Sequence, residues 1–408
     1  MTASICTESA PAGNISARGA KEAPRVVLVL PAYLPESFGG AQQQSRRFAT
    51  LLAGQGIQAT ILAPRTFADT PGHEVKDGVR IKRFTLRSFP NLGGRHFFSF
   101  LWWTLRIIWW LWLNRTDYDI VHVIHARLHA VGPVLGSRLV GKPCIIKFGR
   151  GGSEFDIDVV ERKRLLGPQF ASIIKRYTTG FVANSAEMTT DTARHGIATE
   201  RVYRIPNGAI LPPEKRSDRP APSNPVFLFM GRLDKGKAID VMLRSIAASH
   251  ADIPLRLMIV GDGPEREALV ALTDELRLNE RVEFTGRMED VTPAILKADF
   301  YLSTSLSEGM SNSMLESMSF GAIPIVTRVS GVEDMVSDDK NGFLFEAGDT
   351  ASCAEAIRRA AALSPERYLE MSDEARNTIS RNFGLDMVVE RHLELYRGLI
   401  DKNATAAQ

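Results

Sequence analysis

Residues 303–325, STSLSEGMSNSMLESMSFGAIPI, carry the strongest signal in the chain. Glu308 and Glu316 are separated by seven residues within this segment. The apolar run 299–302 predicts a buried strand before them, and a helix is predicted to carry the second glutamate. Carboxylates at the end of a strand and near the start of the next helix lie where open α/β sheets bind ligands. The first backbone N–H groups of that helix are predicted to form an anion site; they belong to Asn312, Ser313 and Met314.

A second interpretation of this segment needs no ligand. Ser313 and Glu316 have the spacing of a capping box, in which a serine and a glutamate satisfy the N–H groups at a helix start. The sequence around the segment favours the ligand site. A predicted strand at 226–230 is followed by Arg232 and Lys237, and further strand-and-turn blocks follow in order.

These blocks together resemble the retaining glycosyltransferases of family 4, which have the GT-B fold. The resemblance covers Gly231-Arg232-Leu233 with Lys237, then 257–264, then 282–286 and finally the two glutamates. It implies that Glu308 is the catalytic residue that contacts the donor sugar and that Glu316 holds the nucleotide ribose. It also implies that Arg232 and Lys237 neutralise the donor diphosphate, where charge builds as the glycosidic bond breaks.

The implied reaction transfers a sugar from a nucleotide diphosphate sugar to a glycan acceptor with retention of configuration. A UDP-sugar is favoured over a GDP-sugar, and no cofactor and no metal are expected. Asp-x-Asp pairs at 117–119 and 156–158 follow no convincing strand, so they do not predict a metal site. A sugar-nucleotide epimerase, a phosphorylase and a catalytically silent nucleotide- or lipid-binding protein remain as alternatives.

The N-terminal half contains a βαβ pattern. A strand at 25–30 is followed by Gly39-Gly40, a helix over 41–55 and a second strand at 58–63. Glycines at this position allow close approach of a phosphate to the backbone, so Gly40 is predicted to bind the donor. The Gly-x-Gly-x-x-Gly fingerprint of dinucleotide-binding proteins is absent from the sequence, which disfavours a nicotinamide enzyme.

One position departs from the resembled family. Many relatives have a histidine close to the donor sugar where this chain has Gly149. The sequence assigns that role to neither His122 nor His125. Arg150 remains a candidate for contacts to donor oxygens.

Alternating strands and helices over 408 residues predict an α/β protein with two domains. The resemblance predicts the GT-B fold, which has two Rossmann-like domains with a cleft between them. The predicted units are a flexible tail (1–24), an acceptor-side domain (25–210), a Pro-rich linker (211–225), a nucleotide-sugar domain (226–384), a C-terminal helix crossing back to the first domain (385–401) and a short tail (402–408).

Charge is distributed unevenly along the chain. Residues 1–210 hold 27 Lys and Arg against 15 Asp and Glu, whereas the remainder holds 23 against 32. A net charge of +12 on the first half therefore predicts an anionic partner. No nucleic-acid-binding module accompanies this charge, so nucleic acid is not expected. Three widely spaced cysteines and the lack of a signal peptide predict a cytoplasmic protein.

Residues 97–113, FFSFLWWTLRIIWWLWL, contain all five tryptophans. As a helix the segment would span about 25 Å, less than a bilayer core. Tryptophan favours the membrane interface, so we expect peripheral attachment to the anionic inner face of the cell membrane. A helix wholly buried in the core and a true transmembrane span are the alternative interpretations. The residues predicted to contact the membrane are Trp102, Trp103, Trp109, Trp110 and Trp112. Such attachment favours a polyprenyl-linked acceptor on the way to a bacterial surface polysaccharide.

Overall fold

The structure is a computed structural model that describes residues 23–37, 39–89, 97–213, 222–249, 253–329 and 331–406. Most of the predicted tail (1–24) and more than half of the predicted linker (211–225) lie outside the described residues. The described strands form two separate sheets. Helices cover both faces of each sheet, so the predicted α/β class is confirmed.

The first sheet is built from the N-terminal half of the chain. Its strands run in the order β3-β4-β2-β1-β5-β6-β7-β8, and all neighbours are parallel except β3 and β4. The elements are β1 (Val26–Val29), α1 (Gly40–Gly54), β2 (Ala59–Arg65), β3 (His73–Lys76), β4 (Val79–Thr85), α2 (Phe97–Leu113), β5 (Ile120–Ile124), α3 (Val131–Val140), β6 (Cys144–Lys147), α4 (Asp156–Glu161), α5 (Gly167–Tyr177), β7 (Gly180–Ala183), α6 (Ala186–Arg194) and β8 (Val202–Arg204).

The second sheet is parallel throughout, in the order β11-β10-β9-β12-β13-β14. Its elements are β9 (Val226–Met230), α7 (Ile239–Ser249), β10 (Arg256–Val260), α8 (Arg266–Glu275), β11 (Val282–Gly286), α9 (Thr292–Lys297), β12 (Phe300–Ser303), α10 (Asn312–Ser319), β13 (Ile323–Thr327), β14 (Phe343–Phe345), α11 (Thr350–Ala361), α12 (Pro365–Asn382) and α13 (Leu385–Ala406).

The central strands are apolar along their whole length because both of their faces are covered. In β1, Val27 and Val29 pack into one core with α2, α3 and α5. Val26 and Leu28 face the opposite side and pack into a second core with α1 and α13. A strand of four consecutive buried β-branched or leucine residues is what such a sandwich of helices requires.

The last helix returns to the first sheet. Val389 and Leu393 of α13 are buried in the same core as β1. Tyr396 of α13 shares a 2.7 Å hydrogen bond with Nδ1 of His122 in β5. The C-terminal end of the chain is therefore part of the core of the N-terminal sheet.

Each sheet has a point at which the strand order reverses, and these points position the site. In the first sheet β1 lies between β2 and β5, and in the second sheet β9 lies between β10 and β12. Loops that leave neighbouring strands in opposite directions open a crevice at the carboxyl ends of the strands. Contacts of Gly40 with Asn312 and of Gly149 with Gly309 bring the crevices of the two sheets face to face.

Candidate active site

Glu308 and Lys237 come together at the carboxyl ends of β9 and β12. Nζ of Lys237 forms an ion pair with Oε1 of Glu308. The same carboxylate oxygen accepts a 2.9 Å hydrogen bond from Ser305. Burial alone would lower the pKa of Lys237, but the charge and hydrogen bond of Glu308 raise it above its ordinary value. Lys237 is therefore a fixed cation at the crevice.

Arg232 lies in the loop after β9, where the sequence predicted it. Its side chain is 73% exposed, and its closest carboxylate contact is to Asp234, at 3.8 Å from Nε. A contact of this length on an exposed side chain restrains the guanidinium weakly. Arg232 is thus free to turn toward an anion that enters the crevice.

The N-terminus of α10 is capped by Ser311. Its side chain accepts a 3.4 Å hydrogen bond from the N–H of Met314. Among the described residues, Asn312 and Ser313 contribute the helix-end N–H groups that remain for a bound anion. The N–H of Met314 contacts the Ser311 hydroxyl instead, so the prediction that it binds the donor is not supported by this arrangement and stays a prediction.

The same cap excludes the capping-box interpretation of Glu316. A capping box starting at Ser313 requires that residue to precede the helix, whereas Ser313 lies inside it. The Ser313 hydroxyl instead shares a 2.8 Å hydrogen bond with the hydroxyl of Tyr301. Glu316 forms an ion pair with Arg47 of α1. The second glutamate thus meets the opposite half of the molecule.

Gly40, the first residue of α1, contacts the start of α10. A Cβ at this position would lie 2.9 Å from Nδ2 of Asn312. The Asn312 side chain also accepts a 3.0 Å hydrogen bond from Nδ2 of Asn207. The N-termini of α1 and α10 therefore converge on one place, and both helix ends favour an anion there.

Gly149 is shielded by a neighbouring histidine. A Cβ at Gly149 would lie 2.8 Å from both Cε1 and Nε2 of His125, so the imidazole occupies the volume of a side chain at position 149. The carbonyl of Gly149 in turn touches Gly309, next to Glu308. His125 follows β5 at the reversal point of the first sheet, with a left-handed φ of 72°. Burial lowers the pKa of His125, which keeps the ring neutral.

Asp156 holds these two loops together. Its buried carboxylate accepts hydrogen bonds from the N–H of Ala126 at 3.0 Å and from that of Gly149 at 2.8 Å. Arg127 completes the arrangement with a 2.8 Å ion pair. Asp156 therefore has a structural role. This role was not predictable from the Asp-x-Asp pattern at 156–158, because the N–H groups that the carboxylate binds are 7 and 30 residues away along the chain.

One group in the described part of the chain has the spacing to hold a metal ion: Asp158, Glu161 and His195. Lys175 contacts Glu161 at 3.0 Å, and Arg194 lies 3.8 Å from Asp158. The positive charges of Lys175 and Arg194 already balance the negative charges of these two carboxylates. The group is also separate in sequence from the loops that carry Glu308 and Lys237.

The Trp-rich segment forms α2 with the predicted bounds, but its tryptophans face two ways. Trp102, Trp109 and Trp112 are 50%, 61% and 42% exposed. Trp103 is fully buried and donates a 2.9 Å hydrogen bond to the carbonyl of His129. The prediction that Trp103 contacts a membrane is therefore wrong. Trp110 is half-buried and stacks on Tyr118, which corrects its assignment as an outward-facing ring.

The exposed side of α2 is a continuous apolar face, which we call the α2 face. It consists of Phe98, Leu101, Trp102, Leu105, Trp109, Trp112 and Leu113. Arg106 lies over the ring of Trp102 and Arg115 over that of Trp112. Among the described residues, no helix is both long enough and apolar enough to cross a membrane.

Two family comparisons cover most of the chain. Residues 39–208 match the family described as "Glycosyl transferase 4-like domain", and residues 224–362 match "Glycosyl transferases group 1". The chain belongs to the group 1 glycosyltransferases. The resemblance to this family inferred from the motifs is thus confirmed, and this protein is a glycosyltransferase.

Individual relatives are distant. N-acetyl-alpha-D-glucosaminyl L-malate synthase of Bacillus anthracis is 24% identical over 71% of this chain and 78% of its own length. An N-acetylgalactosaminyltransferase of Campylobacter jejuni that acts on a diphospho-undecaprenol glycan is 32% identical over 32% of this chain and 36% of its own length. This chain spans about half of the length of several other curated relatives.

Solved structures identify the fold. Anabaena HepE in complex with UDP superposes with a TM-score of 0.72 at 17% identity, over 92% of this chain and all of HepE. This likeness confirms the GT-B fold of the glycosyltransferase.

Proposed function

We propose that this glycosyltransferase transfers a sugar from a UDP-sugar to a lipid-linked glycan acceptor with retention of anomeric configuration. One observation carries the proposal. A carboxylate, a fixed cation and a helix N-terminus, contributed by Glu308, Lys237 and α10, meet at the carboxyl ends of β9 and β12. A nucleotide diphosphate sugar needs hydrogen-bond acceptors for its hydroxyl groups next to hydrogen-bond donors for its phosphates. This arrangement supplies both.

Each side chain has a distinct role in the proposed reaction. Lys237 and Arg232 bind the diphosphate and stabilise the charge that develops on it as the glycosidic bond breaks. The N–H groups of Asn312 and Ser313 and the backbone at Gly40 bind the remaining phosphate oxygens. Glu308 accepts hydrogen bonds from the donor sugar, and Glu316 accepts them from the ribose. Protein cations perform the charge neutralisation, so the proposed reaction requires no metal.

The donor nucleotide is proposed from the relatives. HepE is described in complex with UDP and with UDP-glucose. The Campylobacter relative is named for a diphospho-undecaprenol acceptor. These names support a UDP-sugar and a polyprenyl-linked glycan as substrates of this chain.

The α2 face supports an acceptor at a membrane. α2 packs tightly on α3, since a Cβ at Gly132 would lie 3.0 Å from Cα of Thr104 and one at Gly136 would lie 3.2 Å from Cα of Ile108. The exposed rings are therefore held on a rigid support. Indole rings with arginines laid over them fit the boundary between lipid headgroups and acyl chains. We propose that the α2 face rests on the anionic inner face of the cell membrane, with the chain in the cytoplasm.

The proposal is tested with a panel of UDP- and GDP-sugars and vesicles that contain polyprenyl-diphosphate glycans. Sugar transfer with release of UDP, unchanged by EDTA, is the expected result, and NMR of the product gives its anomeric configuration. Conversion of the nucleotide sugar without an acceptor would indicate an epimerase instead. Release of the sugar as a sugar phosphate would indicate a phosphorylase. Nucleotide binding without turnover would indicate a catalytically silent binding protein.

A further inference from the structure

α1 and α10 meet along one side, and Arg47 is the α1 side chain that crosses to Glu316. The contact between Gly40 and Asn312 joins the first turns of the two helices. The ion pair between Arg47 and Glu316 lies further along both helices. The two contacts occur in the same order along both helices, so the N-termini of α1 and α10 lie at the same end of the contact.

The ion pair between Arg47 and Glu316 is less exposed than the ion pair formed by the neighbouring Arg46. The side chains of Arg47 and Glu316 are 30% and 17% exposed. Arg46, the preceding residue, pairs with Asp77 at 2.9 Å, and these side chains are 40% and 39% exposed. Arg46 therefore forms an ordinary surface ion pair within the N-terminal half. Arg47 instead reaches the carboxylate that the proposed function assigns to the ribose.

We propose that Arg47 is a positioning residue of the donor site that couples nucleotide binding to closure of the cleft. The inference rests on the proposed function, because Glu316 is the ribose ligand there. Arg47 binds Oε1 of Glu316. It fixes the orientation of the carboxylate and leaves the second oxygen for a ribose hydroxyl. The same carboxylate then joins the nucleotide, held by the C-terminal half, to α1 of the N-terminal half.

This arrangement predicts a mutual dependence. A ribose on Glu316 requires the oriented carboxylate, and Arg47 reaches that carboxylate only when α1 lies against α10. Loss of Arg47 therefore weakens nucleotide binding and closure together. Lysine at this position keeps the charge but not the planar fork, so it restores the coupling in part.

The test compares Arg47→Gln, Arg47→Lys and the matched control Arg46→Gln. Calorimetry with UDP is expected to give an affinity about tenfold lower for Arg47→Gln, intermediate for Arg47→Lys and unchanged for Arg46→Gln. In transfer assays the KM for the donor sugar rises more than kcat falls. Thermal melting without nucleotide distinguishes this from general destabilisation, since Arg47→Gln and Arg46→Gln are expected to melt at similar temperatures.

A double-variant cycle tests whether Arg47 acts through Glu316. Arg47→Gln is expected to change UDP affinity little in a Glu316→Gln background, because its target is already altered. Equal losses in both backgrounds would overturn the inference, as would an Arg47→Gln variant that binds UDP like the wild type. UDP affinity is measured without turnover. A wild type that binds UDP but transfers no sugar would therefore refute the proposed function alone.

Discussion

Glu308 and Glu316 carry the same charge, but the structure gives them different partners. Glu308 contacts Lys237 and Ser305 beside the proposed sugar position, whereas Glu316 contacts Arg47 on the opposite half. Their neutral substitutions should therefore have different kinetic effects. The difference follows from what each carboxylate touches and not from their exposure, since their side chains are 16% and 17% exposed.

Glu308→Gln is expected to lower kcat on the order of 100-fold, as for a residue that contacts the reacting group in the transition state. Glu316→Gln is expected to act mainly on the KM for the donor. Because neither glutamate caps α10, both variants should melt close to the wild-type temperature. Steady-state kinetics and thermal melting check this. A melting temperature that falls in proportion to the lost activity would contradict the site assignment.

Arg232→Ala and Lys237→Ala should each weaken UDP binding by roughly 1.5–3 kcal/mol, the usual loss when a charge-assisted phosphate contact is removed. Lys235, exposed in the same loop, provides the control. Lys235→Ala should bind UDP as the wild type does. Calorimetry with UDP measures all three variants. Unchanged affinity for Lys237→Ala would remove that residue from the diphosphate site.

The contact between Gly149 and His125 gives a prediction on stability. Gly149→Ala forces a Cβ to within 2.8 Å of the imidazole, so it should cost about 1–3 kcal/mol of folding stability. In the His125→Gly background most of that cost should disappear, because the imidazole is absent. Glycine also adopts the left-handed φ of 72° at position 125 without strain. Urea unfolding of both single variants and the double variant gives the coupling energy. Additive effects would show that the two positions do not share this space.

At the scale of elements, α2 illustrates what the sequence could and could not specify. Residues three and four apart share one side of a helix, and Phe100, Trp103, Ile107 and Leu111 form the buried side. The opposite side is almost equally apolar, so the hydrophobic pattern alone did not separate exposed from buried tryptophans. The core interpretation is confirmed for the buried side, and contact of the exposed side with a membrane stays a prediction.

The elements of the candidate site were predictable for a different reason. Arg232, Lys237, Glu308 and Glu316 lie in short motifs whose order along the chain matches the order of the strands that position them. Arg47, His125 and Asp156 were not predictable in their observed roles. Their partners are brought close by folding of distant segments, and a single sequence contains no record of such contacts.

The α2 face yields a test of membrane attachment. Replacing Trp102, Trp109 and Trp112 by Ser should lower binding to anionic vesicles at least about tenfold, because exposed indoles are removed while the buried side is kept. Phe67→Ser with Val75→Ser, which removes exposed apolar side chains elsewhere, is the control. Vesicle co-sedimentation at low and high salt measures binding. A wild type that stays in solution with anionic vesicles at low salt would refute attachment.

At the scale of the whole molecule, α13 ties the end of the chain to the N-terminal sheet through a buried polar cluster. The rings of His122 and His392 stack with centroids 5.4 Å apart, and Tyr396 bonds to His122. Nε2 of each histidine is buried without a partner among the described residues. Burial lowers the pKa of His392 to about 3 and holds that of His122 well below its ordinary value. Nearby Lys147, whose pKa burial lowers to about 8, also repels a proton on either ring.

These pKa values make the docking of α13 sensitive to acid. The histidines are neutral in the folded protein but bind protons in the unfolded chain below about pH 6.5, so the free energy of unfolding falls as pH drops through that value. Between pH 7 and 5.5 the loss should be about 1 kcal/mol for each histidine. Lys147 stays protonated in both states over this range and does not contribute. Urea unfolding at both pH values measures the loss. His392→Leu should reduce this loss by about 1 kcal/mol, the share of one histidine, because His125 and His129, whose pKa values burial also lowers, contribute to it as well. An unchanged pH dependence in that variant would exclude His392 as a source.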